Sequence, residues 1–257
     1  MSTSNHFDLT GRVALITGGS KGLGKSMARG FAEHGADIMI CSRTEEELKN
    51  AASEISDGLD VRVEYRVTDM TDREEVKALA DETISKLGKV DILVNNAGSN
   101  VPQPIDEIQD EDWDRILELN LSSIMALSRA VAPGMKERKW GRIIHISSVL
   151  GVGGKEARNG YCATKSALIG LSQASALDLG PFNITVNCIA PGPFLTDLPM
   201  NLLSDEQKQA FAACTAVGRW GDPKEIAGPA LLLASEAGSY ITGSTLLVDG
   251  GTFARRL

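Results

Sequence analysis

The chain lacks the spacings on which metal and disulfide chemistry depend. Its four cysteines, Cys41, Cys162, Cys188 and Cys214, form no C-x-x-C pair, and its three histidines, His6, His34 and His145, make no H-E-x-x-H run. A metal site and a disulfide framework are both disfavoured, so any chemistry is expected from side chains or an organic cofactor. Long apolar runs are missing too; none approaches the roughly 20 residues that a membrane-spanning helix needs. Met1 to Asp8 carry no apolar stretch of the kind that directs secretion, and a soluble, cytoplasmic protein is expected. Positive charge is not clustered either. The 26 Lys and Arg are scattered among 34 Asp and Glu, for a net charge of -8. Nucleic acid or another polyanion is therefore a poor partner.

What the chain does contain is regular alternation. Strand-like runs fall at Val13–Thr17, Asp37–Ser42, Val61–Val67, Val90–Asn95, Arg142–Ser147, Thr185–Ile189 and Thr245–Val248. Several are continuously apolar, as in strands covered on both faces. Helix-length segments with apolar spacing near 3.6 lie between them, at 23–34, 45–56, 72–87, 111–138, 160–180 and 223–236. Thr44 with Glu47 reads as a capping box, and Asp222-Pro223 as an N-cap followed by proline. Such β-α order predicts an α/β fold, a Rossmann-type doubly wound parallel sheet of about seven strands with helices on both faces. No linker or repeat divides residues 1–257, so one domain is expected, with the irregular 191–220 stretch as a substrate lid.

Glycines 18, 22 and 24 in Thr17-Gly-Gly-Ser-Lys-Gly-Leu-Gly24 stand between the first strand and the first helix. Without side chains there, backbone can approach a pyrophosphate seated on the helix N-terminus. The dinucleotide is then chosen at the end of the second strand. Asp37 stands at the wrong end for a ribose 2′-hydroxyl, whereas Ser42 and Arg43 occupy the tip, and Lys21 in the glycine loop adds a second cation. That pattern suits the 2′-phosphate of NADP(H) better than NAD(H).

Tyr161 and Lys165, four residues apart, should share one face of a helix. An ammonium beside the phenol would lower its pKa and suit it to proton transfer. Ser148, 13 residues earlier, could hydrogen-bond a reacting oxygen next to the phenol. Asn120 is placed in mid-helix, a position that asparagine occupies comfortably only with a buried partner. Asn95-Asn-Ala-Gly98 ends the fourth strand, against the expected cofactor.

These motifs, with Pro191-Gly192 and Thr196, resemble those of the short-chain dehydrogenase/reductase family over essentially the whole chain. The resemblance implies an NADP(H)-dependent oxidoreductase acting on an alcohol or ketone. It implies Tyr161 as acid/base, Ser148 orienting the substrate oxygen, Lys165 holding the ribose, and Asn120 carrying a water of the proton relay. Gly18, Ser20, Lys21, Gly22, Leu23, Gly24, Ser42 and Arg43 would line the cofactor, with Asp69 and Met70 at its adenine. Asn96, Ala97, Gly98, Pro191, Gly192, Phe194 and Thr196 would lie along its nicotinamide half. A homotetramer packed through the 111–138 and 160–180 helices and the C-terminal segment is implied as well. A cofactor-binding regulator on the same fold would lack one of the four catalytic positions, and all four are present.

Gly218 to Ala230 and Phe7 to Ala14 resemble gluconate 5-dehydrogenases and related sugar-acid reductases. The 3-oxoacyl-[acyl-carrier-protein] reductases are the alternative. Their pair of basic docking residues is matched here only approximately by Lys139, with Phe182 at the second position. Sugar-acid members often carry a basic residue shortly after Asn-Asn-Ala-Gly, where this chain has Ser99-Asn-Val-Pro-Gln-Pro104. Lys155 and Arg158 are candidates for meeting a substrate carboxylate, and Asn100 and Gln103 for meeting hydroxyls.

Overall fold

The computed structural model describes residues 5–196 and 204–254. Strands β1 (Val13–Thr17), β2 (Asp37–Ser42), β3 (Val63–Val67), β4 (Ile92–Asn95), β5 (Gly141–Ile146), β6 (Ile184–Pro191) and β7 (Thr245–Val248) form one sheet. All pair in parallel, in the order β3-β2-β1-β4-β5-β6-β7. The helices are α1 (Gly22–Glu33), α2 (Glu45–Ser56), α3 (Arg73–Leu87), α4 (Asp110–Leu117), α5 (Ser123–Arg138), α6 (Val149–Val152), α7 (Asn159–Leu179), α8 (Asp205–Cys214) and α9 (Ala227–Ala234).

Alternating strand side chains divide the core between the two faces. Ala14 and Ile16 join Ile38, Ile40, Val94 and Ile144 beneath α1, α2 and α9. Val13 and Leu15 join Met39, Leu93, Ile143 and Val186 beneath α3, α5 and α7. Both faces of the central strands are therefore dry, which explains why β1, β4, β5 and β6 are buried at every position.

Three local expectations change. The expected 111–138 helix is not continuous: a π turn at Glu118–Ser122 separates α4 from α5. The capping box at Thr44 is absent, since Thr44 makes no side-chain cap and Glu47 turns to Lys21 instead. The box at Asp222 forms, closed by Glu225, but it opens a 3-10 turn (Pro223–Ile226) ahead of α9. No helix of the described residues is long and apolar enough to cross a membrane.

Candidate active site

Strand order reverses between β1 and β4, so the chain leaves these neighbours toward opposite faces and opens a crevice at their carboxyl ends. Thr17, the last residue of β1, pins that crevice. Its hydroxyl accepts the backbone N–H of Asn96 and of Ala97, each at 3.0 Å, while the Asn96 amide donates to the carbonyls of Thr17 (2.9 Å) and Gly18 (3.1 Å). Asn96 is thus a strap that joins the end of β4 to the glycine loop. The tightness of the loop explains its composition. A Cβ at Gly24 would lie 2.2 Å from the Gly18 carbonyl oxygen, and one at Gly19 would lie 2.5 Å from Ile40. Gly22, at φ +52, has the methyl of Thr196 in front of its missing Cβ, at 3.1 Å.

Lys21, the N-cap of α1, makes no side-chain cap, and the first turn carries no acidic residue. With the dipole of a 12-residue helix behind it, this bare N-terminus fits an anionic pyrophosphate. Ser20 is buried, and Leu23 packs against the core. Asp37 stands at the opposite end of β2 from the crevice, where Arg62 engages its carboxylate through Nε (2.9 Å) and Nη2 (2.5 Å). Arg43 lies near Asp69, whose carboxyl accepts from the Thr71 backbone and hydroxyl and is held below its ordinary pKa. Met70 is buried beside Cys41. Lys21, the expected second cation, is ion-paired with Glu47 at 2.6 Å.

Beyond β5, Ser148 caps the short helix α6 by accepting from Leu150 N–H at 3.1 Å, and its hydroxyl acts on the Tyr161 phenol, favouring the phenolate. Lys165 lies one turn further along α7, its ammonium 5.6 Å from the centre of the Tyr161 ring and 2.7 Å from the Ile146 carbonyl. Gly151 lets α6 and α7 meet, because a Cβ there would strike Ser147 Oγ and the Lys165 backbone. Gly98 faces both Asn120 Oδ1 (3.1 Å from its missing Cβ) and Lys165 Nζ (3.4 Å). Tyr161, Lys165, Ser148, Asn120 and Gly98 therefore converge.

The electrostatics differ from expectation. Burial raises the Tyr161 pKa above its ordinary value, and Ser148, followed by Arg158, pulls against it. Burial also pushes Lys165 down to about 8. The expected depression of Tyr161 by Lys165 is not found: desolvation of the phenol dominates, and the groups that pull against it are Ser148 and Arg158.

Asn120 is completely buried at the π turn. Its Oδ1 accepts from Ser99 N–H (2.9 Å), and its Nδ2 donates to the Ser99 carbonyl (2.8 Å) and to Thr164 Oγ1 (3.2 Å). This side chain holds the Asn-Asn-Ala-Gly loop to the Tyr161 helix, which supplies the partner that a mid-helix asparagine requires. The bulge that admits it is typical of helices at functional sites.

His145 lies beneath the site, with Nδ1 3.0 Å from Asn95 Nδ2. Burial, helped by the charge of Lys165, pushes its pKa down to about 4. It is therefore neutral in the fold, whereas the unfolded residue titrates near 6.5. The unfolded chain binds the extra proton between those values, so the stabilisation is full above 6.5 and is lost as pH falls toward 4. This linkage amounts to about 3 kcal/mol. Urea unfolding at pH 7 and pH 4.5 is expected to show that slope in wild type and a shallower one in His145→Gln. Equal slopes would remove His145 as the cause.

The lid expected at 191–220 has a closed base. Phe194 and Gly221 form a parallel bridge, and the Phe194 ring occupies the space where a Gly221 side chain would be. Phe194 is buried in the core, so its ring serves this base. Gly192 donates to Val248 (2.9 Å) and lies against Asp249, next to Pro191 at the end of β6. Residues 197–203 of the lid lie outside the described residues. Its helix α8 was not foreseen. Lys155 Nζ sits 4.3 Å from the Phe211 ring centre on α8, so Lys155 is engaged by the 191–220 segment. Gln103 donates to Asp112 (2.9 Å), and its backbone bridges Arg158, while Asn100 Oδ1 is buried without a partner. The Thr17 hydroxyl, Gly19, Ser147 and Thr164 were missed from sequence, whereas Glu45 to Glu47 were expected to offset the nearby cations and Glu47 does pair with Lys21. Only Thr17 and Gly19 carried a signal, their place within the glycine run.

A phosphate-ready crevice at the strand-order reversal, beside a converging Ser, Tyr and Lys, defines a dinucleotide-dependent oxidoreductase. A sequence profile described as short chain dehydrogenase matches residues 12–207, and the chain belongs to that family. It is 40% identical to nodulation protein G of Rhizobium sp. (strain N33), over 95% of this chain and 98% of that one. It is 39% identical to the 3-oxoacyl-[acyl-carrier-protein] reductase FabG of Escherichia coli (strain K12), over 95% and 98%. A crystal structure from Beutenbergia cavernae, provisionally named an NAD(P) dependent gluconate 5-dehydrogenase and holding NADP at low occupancy, superposes with a TM-score of 0.92. Its identity is 36%, over 97% of this chain and 100% of that one. A provisionally named gluconate dehydrogenase from Agrobacterium tumefaciens gives a TM-score of 0.92 at 34% identity, over 97% and 98%. The protein is thus an oxidoreductase of CH–OH and keto groups that uses a nicotinamide coenzyme.

Proposed function

We propose that the protein is an NADP(H)-dependent enzyme interconverting a ketone and a secondary alcohol, with an anionic sugar-acid type substrate. The Ser148 hydroxyl acting on the Tyr161 phenol, with Lys165 one turn along α7, carries the reaction. A bound nicotinamide supplies or accepts the hydride. In reduction, Tyr161 donates its proton to the oxygen on which negative charge grows; in oxidation it takes that proton back. Ser148 orients the same oxygen. Lys165 steadies the coenzyme ribose and returns a proton toward Tyr161, while Asn120 fixes the loop over which the relay water would sit. Arg43, which follows the carboxyl end of β2 and lies near Asp69, favours the 2′-phosphate coenzyme.

Arg158 supports an anionic substrate. It is the N-cap of α7, its charge reaches the Tyr161 phenol, and among the described residues no carboxylate lies within 4.0 Å of it to form an ion pair. It outranks Lys155, which is held by Phe211. A second reading, reduction of a 3-oxoacyl thioester, is favoured by the 39% identity to FabG. It is weakened by Phe182, which stands at the second basic docking position and lies 4.8 Å beneath Lys136 Nζ. NADPH oxidation with 5-ketogluconate and with an acetoacetyl thioester separates the two. Turnover of the sugar acid is expected, with KM raised about tenfold or more in Arg158→Gln. Turnover of the thioester alone would install the second reading.

The segment 191–220 is proposed to close over the substrate, pivoting on its bridged base. A cytoplasmic homotetramer fits the apolar side chain of Leu177, which is 80% exposed on α7.

A further inference from the structure

The tip of β2 was expected to offer two cations to a 2′-phosphate, yet one of them is already occupied. Lys21 Nζ lies 2.6 Å from Glu47 Oε1, an ion pair spanning the glycine loop and the first turn of α2. Glu47 closes no capping box on α2, since the Thr44 side chain accepts nothing from that turn. Glu45 and Glu46 add further negative charge in the same turn. A lysine at the entrance of a dinucleotide crevice is in this way held by a carboxylate of the first turn of α2.

We propose that Glu47 sets coenzyme specificity by competing with the 2′-phosphate for Lys21; this rests on the NADP(H) reading above. The carboxylate stands in for the phosphate in the coenzyme-free protein and keeps Lys21 at the crevice. A 2′-phosphate must then displace it and also bear its repulsion. A coenzyme without the 2′-phosphate meets neither cost, so Glu47 moderates the preference for NADP(H) without touching the nicotinamide end. Both partners are partly exposed, with side chains 54% and 35% accessible, so the exchange is modest in size and weakened by salt.

Calorimetric titration of the coenzyme-free protein with adenosine 2′,5′-bisphosphate and with 5′-AMP reads this directly, without turnover. Glu47→Gln is expected to bind the bisphosphate about three- to tenfold more tightly at low salt, with 5′-AMP changed less than about twofold. In a Lys21→Met background the gain should shrink to the part owed to direct repulsion, since Lys21 mediates the competition, and an undiminished gain would overturn the proposal. An unchanged bisphosphate affinity, an equal gain for both ligands, or a weakened 5′-AMP affinity would each overturn the proposal, the last by making Glu47 a ribose ligand. If wild type itself showed no preference for the bisphosphate, the NADP(H) reading would fall and the competition with it. A wild-type preference that Glu47→Gln leaves untouched would remove the competition alone.

Discussion

Tyr161→Phe is expected to lower kcat/KM for ketone reduction by about 10³-fold, roughly 4 kcal/mol of transition-state stabilisation. The substitution removes one oxygen and little else. The ring stays on α7, Lys165 keeps its bond to the Ile146 carbonyl, and Ser148 still caps α6. What disappears is the group that exchanges a proton with the reacting oxygen. The Ser148 hydroxyl cannot replace it, because serine does not titrate in the working range and only orients. Coenzyme affinity, read by calorimetry, should change little, so the loss belongs to chemistry rather than binding. A loss below about tenfold would move the acid/base to another group.

The second large effect is expected from a single methyl group. Gly24→Ala would place a carbon 2.2 Å from the Gly18 carbonyl oxygen and 2.6 Å from the Asn96 amide. Neither can retreat easily: the first is backbone at the turn, and the second is tied to Thr17 and Gly18. The loop must open, and with it the cradle at the start of α1. Coenzyme affinity should fall by about 100-fold or more, while the fold survives on a hydrophobic core that draws little more than Leu23 from the loop. Gly170→Ala is the control. Gly170 is exposed on α7 with nothing within 4 Å of a built Cβ, so alanine should leave coenzyme binding intact and favour the helix. Unchanged coenzyme affinity in Gly24→Ala would remove the glycine loop from the binding site.

Much of this was legible in the order of residues. Continuous apolar runs marked the strands because both sheet faces are dry, and the 3.6 spacing marked most helices because each has one buried side. The four-residue spacing of Tyr161 and Lys165 already put them on one face of α7. The break between α4 and α5 was not legible, because its cause lies elsewhere. Asn120 is drawn to Ser99 and Thr164, 21 and 44 positions away. Lys21 stood correctly in the glycine loop, but its partner lay on the next helix in the chain. The same is true of Lys155, whose partner Phe211 belongs to a helix for which periodicity offered no cue.

The sequence by itself determined the α/β alternation, the glycine run after β1, and the identities and spacing of Ser148, Tyr161 and Lys165. These depend on residue type and short-range geometry, which the order of residues contains. Only the tertiary structure decided that Thr17 and Asn96 lace β1 to β4, that Lys21 answers to Glu47, and that Tyr161 is held above rather than below its ordinary pKa. Each depends on burial and on partners brought from distant positions, and solvent exclusion around a charge is a property of the packed site rather than of any segment of the chain.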